Sequence, residues 1–325
     1  MKKISIIVPI YNAVQTIEKC LDSILANNFS DFEVVLVNDG STDESGQVIV
    51  KYSQKYQQKI KIIEQENLGV AVARNNGIIA ASGDYVMFVD NDDYVESDYL
   101  QKFFEQMEKT GAEAVFGGYK RVTKDKILYR VALKDFKWSK YVVMAPWAKI
   151  YQRQFLLKNK INFLSNNIGE DVYFNLQVIN FAKNIVMFDY CGYNWFFNEC
   201  SVSNTRQKTI DDLKVEFLLE NCQQKMAKMN IVEKKEVEYY FVRYVVWFLL
   251  FAGRSSSFSK TKEKYEKLFA WLKKEFPAFE KNELVSIFGP HGESFKNGFS
   301  VWIFMQIHKV KMVPLLLRFY CRDKP

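Results

Sequence analysis

Continuous apolar runs alternate with helical spacing along the first 120 residues. ISIIV (4–8) is an unbroken run, the pattern of a strand buried on both faces, and Val14, Ile17, Leu21, Ile24 and Leu25 then recur at helical intervals. The switch repeats. FEVVLV (32–37) precedes a segment opening near Asp43, IKII (60–63) precedes GVAVARNNGIIAA (69–81), and YVMFV (85–89) precedes SDYLQKFFEQM (97–107). Four such units predict a mostly parallel sheet covered by helices on both faces, an α/β architecture. From 120 to 205 the pattern is mixed, with strand-like ILYRVAL, aromatic-rich WAKIYQRQF, a helix over 170–182 and a strand over 184–190. Beyond Arg206, Lys, Glu, Leu and aromatic residues at helical spacing predict a helical accessory region, with turns at 253–259, near Pro277 and at 289–294.

Composition adds one asymmetry. A chain of 325 residues, 48% hydrophobic and 26% charged, is ordinary globular material, long enough for one large domain and an accessory one. Its net charge of +7 is uneven: residues 1–206 hold 24 Lys and Arg against 24 Asp and Glu, and residues 207–325 hold 21 against 14. Two readings of that basic last third stand open. Its aromatic-rich helices attach to an anionic membrane surface, or their apolar faces pack on the rest of the chain or on a second copy. The alternation of Lys and Glu over 260–283 favours packing or homo-oligomerisation. Nucleic-acid binding has no supporting motif. Cys20, Cys191, Cys200, Cys222 and Cys321 form no CxxC, which argues against a disulfide framework or a zinc site and suits a reducing cytosol. The apolar run before Pro9 reads as a strand rather than a signal peptide. Stretches 239–252 and 301–317, broken by Arg243, Lys309 and Lys311, are too short to span a bilayer.

The polar clusters PIYN, NDGSTD, QENLG and DNDD fall at the carboxyl ends of the four predicted strands, the edge where open α/β sheets bind ligands. DNDD crowds Asp90, Asn91, Asp92 and Asp93. Such carboxylates repel one another unless a cation or donors compensate, and hard oxygens suit Mg²⁺ or Mn²⁺ shared with a phosphate. Alternatively, Asp92 and Asp93 cap the following helix. NDGSTD is a natural turn and helix cap, or it places Asp39 to accept from an imide N–H. Gly69 opens a helix N-terminus and Arg74 lies near the same edge, which favours a diphosphate, although Arg74 also reads as a surface charge. GED (169–171) puts Glu170 and Asp171 where they complement a helix macrodipole.

Taken in order, IIVPIYN (6–12), VNDGSTD (37–43), ENLGVAVARNNGI (66–78), SGDYVMFVDNDD (82–93), PWAKIY (146–151) and GED resemble the inverting family 2 glycosyltransferases of the GT-A fold, over roughly residues 3–205. The resemblance implies a Rossmann-like catalytic domain over 1–205, with a nucleotide-binding half (1–120) and an acceptor half (121–205), followed by a helical accessory domain over 206–325. It sets Pro9, Tyr11 and Asp39 against the base and ribose of a UDP-sugar, with Asn12, Asn67, Gly69, Arg74 and Asn91 close to the nucleotide. Asp90 and Asp92 become a DxD pair for Mn²⁺ or Mg²⁺, Asp92 as direct ligand and Asp90 on the ribose or supporting the metal through water. Asp93 is left as a supporting residue or cap. Asp171 becomes the acceptor-side base and Glu170 orients the acceptor or its loop. The segment YNWFFNECSVSN (193–204) would close over the nucleotide with Ser201, Ser203 or Arg206. Trp138, Trp147, Tyr151 and Trp195 would stack on acceptor sugars or fill the core. Some family members add a histidine ligand, but His291 and His308 both lie outside the matched region.

The implied activity is metal-dependent transfer of a hexose, glucose or galactose preferred, to a saccharide acceptor on a protein, lipid carrier or polysaccharide, in the cytosol or at the inner membrane face. An NAD-dependent enzyme would need GxGxxG after the first strand, where PIYN stands. A sugar-nucleotide pyrophosphorylase would need a glycine-rich basic loop there. The alternative is a noncatalytic sugar-nucleotide or glycan-binding module, which would keep the nucleotide pocket but need no acceptor-side base; the presence of both DNDD and GED weighs against it.

Overall fold

The structure, a computed structural model, describes residues 3–197, 209–228 and 234–321. They form two compact units, one from residues 3–135 and 144–197, the other from residues 136–143 and the described residues after 208. Ser201, Ser203 and Arg206 lie outside the described residues.

The first unit runs β1 (Ile4–Ile10), α1 (Ile17–Leu25), β2 (Phe32–Asp39), α2 (Ser45–Lys55), β3 (Ile60–Gln65), α3 (Val70–Ala80), β4 (Tyr85–Phe88), β5 (Tyr94–Val95), α4 (Tyr99–Thr110), β6 (Ala114–Val122), β7 (Ile127–Val131), β8 (Lys149–Gln152), α5 (Arg153–Lys158), α6 (Glu170–Phe181) and β9 (Ile185–Phe196). Strands β3, β2, β1 and β4 lie side by side and parallel, as their unbroken apolar runs predict. Every residue of β1 is buried. Helix α3 settles close on it: a Cβ on Gly77 would lie 2.4 Å from Ile7 Cγ2.

Beyond β4 the sheet stops being parallel. β8 pairs antiparallel with β4 and with β6, β9 runs parallel to β6, and β5 and β7 add antiparallel edges. Strand β6, AVFGGYKRV, is absent from the sequence reading because its glycine pair interrupts the apolar run. The pair serves close approach instead. A Cβ on Gly117 would sit 2.5 Å from Phe103 Cζ, and one on Gly118 would sit 2.2 Å from the Val131 carbonyl oxygen. Gly118→Ala is therefore expected to cost about 1–3 kcal/mol, seen as a lower denaturation midpoint; an unchanged midpoint would mean that β7 yields freely.

The stretch after β4 corrects a second expectation. The chain passes through β5 before α4 begins, and the residue preceding that helix is Asp98, so neither Asp92 nor Asp93 caps it.

The second unit contains α7 (Val215–Met226), α8 (Lys234–Gly253), α9 (Phe258–Glu275), α10 (Phe295–Lys309) and α11 (Val313–Tyr320). Residues 136–143 belong here, not with the acceptor half, because Trp138 packs its ring 4.9 Å from Tyr239 and Tyr141 lies 5.8 Å from Tyr240. The Trp138 indole donates to Glu293, which also pairs with Arg243 at 2.9 Å. His308 is held by the Tyr265 hydroxyl and the Phe269 ring, a packing role. Among the described residues no helix is long and apolar enough to cross a membrane.

Candidate active site

Hydrogen bonds tie the loops at the carboxyl edge of the parallel strands together. Asn12, in the left-handed region at φ 47°, accepts from the Thr42 amide at 2.8 Å and donates its own N–H to Ser41 Oγ at 3.1 Å. Asn91 donates to the Pro9 carbonyl at 2.8 Å, while Tyr11 beside it stands exposed. Asp39 is buried and already occupied: Oδ1 accepts from Gln65 Nε2 (2.7 Å) and the Leu68 amide (2.8 Å), and Oδ2 accepts from the Gly69 amide (2.9 Å). Its carboxylate thus anchors the loop that starts α3, and Gly69 at φ 89° permits that entry. Gly40 lets Asn67 approach, since a Cβ there would lie 2.8 Å from the Asn67 nitrogen.

Arg74 is the hub. Its side chain, only 4% exposed, donates from Nη2 to Asp90 at 2.8 Å and from Nη1 to Asp171 at 2.6 Å, with Glu170 at 3.9 Å. Phe163 lies under the guanidinium at 5.3 Å. Asn75, one residue on, exchanges hydrogen bonds with the Phe163 backbone and so fixes that ring. The reading of Arg74 as a surface charge is therefore wrong. Asp171 and Glu170 open α6 after Gly169, itself left-handed at φ 73°. One turn on, Asn175 bonds the carbonyls of Asp171 and Met144.

The charges here do not balance. Arg74 faces three carboxylates, and Asp92 stands apart: among the described residues it has no ion pair, and its carboxylate accepts from its own backbone amide. Burial and then Asp90 push the Asp92 carboxyl up to about 6. Burial likewise raises Asp171 above the usual carboxylate range, with Glu170 and Asp90 adding to the shift and Arg74 and Lys149 opposing it. Among the described residues no three His, Cys, Asp or Glu side chains converge as a ready-made metal cage. A half-buried, unpaired Asp92 beside Asp90 nevertheless suits a hard divalent cation whose other ligands are phosphate oxygens and water. Asp93 is different. It accepts from the Tyr193 hydroxyl at 2.5 Å and the Phe196 amide at 2.8 Å, tying the DNDD turn to β9.

Two basic residues escaped the sequence reading. Lys149 lies fully buried in β8, donates to the Ala145 carbonyl, and has its ammonium pushed down to about 7 by burial. Its signal was a lone lysine inside the apolar PWAKIY. Arg121 stacks 3.5 Å from the Trp195 ring, near Asp92 and Asp93, with one buried Nη unbonded. The aromatic group also divides. Trp147 and Trp195 gather around Tyr119, but Tyr151 is core packing against Phe88, Phe116 and Phe174, and Trp138 belongs to the second unit.

The family described as Glycosyl transferase family 2 matches residues 5–198, a stretch that contains every element of this site. The chain belongs to glycosyltransferase family 2. As a family 2 enzyme it is similar to the glycosyltransferase GlyA of Streptococcus pneumoniae, 31% identical over 221 residues, covering 62% of this chain and 31% of that one. The chain thus spans about a third of that relative's length. It is 33% identical over 243 residues to the uncharacterized glycosyltransferase EpsJ of Bacillus subtilis, covering 70% of each. In three dimensions it resembles S. aureus TarS 1–349 solved with UDP-GlcNAc, at a TM-score of 0.73 and 19% identity, covering 95% of this chain and 92% of that one. The fold is GT-A, with the family 2 sheet followed by C-terminal helices.

Proposed function

We propose that the first unit transfers a hexose from a UDP-sugar to a saccharide acceptor with inversion at the anomeric carbon. The acceptor would be borne by a protein, a lipid carrier or a polysaccharide, and the reaction would run in the cytosol or at the inner face of the membrane. The observation that carries this reading is the Arg74 bridge, which puts Asp90 on the DNDD side and Asp171 on the GED side within hydrogen-bond reach of one guanidinium. The TarS complex with UDP-GlcNAc supports a uridine diphosphate donor. Glucose or galactose is the preferred sugar, and that complex keeps N-acetylhexosamines in the panel.

Pro9, Tyr11, Asn12 and Asn67 surround the base and ribose. Asp39 acts there mainly by holding the loop of Leu68 and Gly69 in place. Any bond from Asp39 to the base must use the lone pairs left over from three existing donors. The unbonded N–H of Arg121 is a donor for a donor-substrate oxygen near Asp92. Asp171 takes the proton from the acceptor hydroxyl as that oxygen forms its bond to the anomeric carbon. The bond from that carbon to UDP breaks on the opposite face, and its electron pair leaves with the diphosphate. Asp92, with Asp90 beside it, would hold a Mn²⁺ or Mg²⁺, which would supply charge stabilisation to the departing UDP.

Asp92→Asn keeps the side chain's size and removes its anionic oxygen. UDP release from a panel of UDP-sugars, with and without acceptor and Mn²⁺, is expected to fall by orders of magnitude in this variant while its melting temperature holds. Near-normal turnover with unchanged Mn²⁺ dependence would remove the metal role of DNDD.

A further inference from the structure

We propose that the outward face of α10 and α11 docks on an anionic lipid surface. Each helix buries one stripe and leaves a second apolar stripe in water. In α10, Val301, Phe304 and Met305 are buried, whereas Phe295, Phe299 and Ile303, spaced four apart, are exposed. Phe288, 71% exposed, lies 5.9 Å from the Phe295 ring, which lies 5.8 Å from Phe299. These rings form one continuous apolar surface. In α11, Val313 and Leu317 are buried while Leu315 and Phe319, one turn apart, are exposed. Contiguous exposed apolar surface of this kind marks an interaction site.

Charge selects the occupant. Residues 294–321 contain Lys296, Lys309, Lys311 and Arg318 and no Asp or Glu, and all four basic side chains are exposed. The alternating Lys–Glu stretch that favoured packing lies elsewhere, on α9, where Lys267 pairs with Glu263 as on an ordinary solvated face. A second copy meeting this face with its own would bring like charges together. Aromatic residues interleaved with basic ones, without acids, suit a helix lying in the headgroup layer of an anionic bilayer. Since neither helix can cross a membrane, the contact is peripheral. This inference does not depend on which sugar the first unit transfers, or on whether it transfers one.

The test is co-sedimentation of the full chain with vesicles of phosphatidylcholine alone and of phosphatidylcholine mixed with phosphatidylglycerol. The expected result is binding to the mixed vesicles that weakens with salt and falls about tenfold or more in Lys309→Gln/Lys311→Gln and in Phe288→Ser/Phe295→Ser/Phe299→Ser. The charge variant changes only exposed residues, so its loss of binding is not a loss of fold. Absence of binding to the mixed vesicles, equal binding to neutral ones, or binding unaltered in both variants would overturn the proposal. So would concentration-dependent self-association in light scattering that the phenylalanine variant abolishes while vesicles stay unbound, which would assign the face to a second copy.

Discussion

Arg74→Lys is expected to lower sugar transfer by about 10²-fold or more, although charge is conserved. The guanidinium reaches Asp90 and Asp171 at once, at 2.8 and 2.6 Å from two different nitrogens. A lysine ammonium is a single point on a flexible stem and cannot hold two carboxylates in that fork geometry. The stability cost is smaller than for a fully buried pair, because Asp90 and Asp171 keep 27% and 29% of their side-chain exposure and can be rehydrated. About 1–2 kcal/mol is the expected scale. Turnover with acceptor and a melting curve on the same preparation separate the two effects. Turnover within a factor of about two of wild type would show that the bridge does not organise the reacting groups.

Asp171→Asn should remove the proposed acceptor-side base and reduce turnover by about 10²–10⁴-fold. A role limited to the helix terminus predicts instead a loss of about 1 kcal/mol in stability with turnover preserved. The shared guanidinium carries this change to the donor side. With Asp171 neutral, Arg74 pairs more strongly with Asp90, so UDP affinity should shift as well, and turnover at saturating donor is the quantity to compare. The pH profile offers an independent check. A base works only when deprotonated, and burial raises the Asp171 carboxyl above the ordinary carboxylate range. Transfer should therefore fall on the acid side at a pH above the usual value of about 4. Glu170→Gln removes a like charge and should move that limb to lower pH. A limb that stays put in Glu170→Gln would break the link between these two carboxylates.

The parallel half of the sheet was legible because its information is local. Each strand is one apolar run, each helix one periodic stretch, and each polar cluster sits where a run ends. The antiparallel half was not, since β6 hides behind a glycine pair and β8 is only four residues long. Its pairing is set by partners distant in sequence. The family resemblance named the candidate site residues, but not how they meet. Arg74 finds Asp171 across 97 positions, and Asp93 finds Phe196 across 103. Nothing local marks Asp93 as a brace or Asp39 as the anchor of the loop before α3. Trp138 and Tyr151 stayed open between acceptor face and core for a related reason: an aromatic residue suits a sugar face and a core equally well, and only its neighbours decide.

Asp90 and Asp171 compete for one cation, and this has a thermodynamic consequence. Any ligand that engages Asp90 changes how firmly Arg74 holds Asp171, and so changes the proton affinity of the Asp171 carboxylate. Linkage makes the effect reciprocal: protonating Asp171 must change that ligand's affinity by the same factor. In the proposed reaction, donor capture and the readiness of Asp171 as base are therefore not separate properties of two halves of the site. The heat of donor binding is expected to carry a proton-exchange component whose size depends on the buffer.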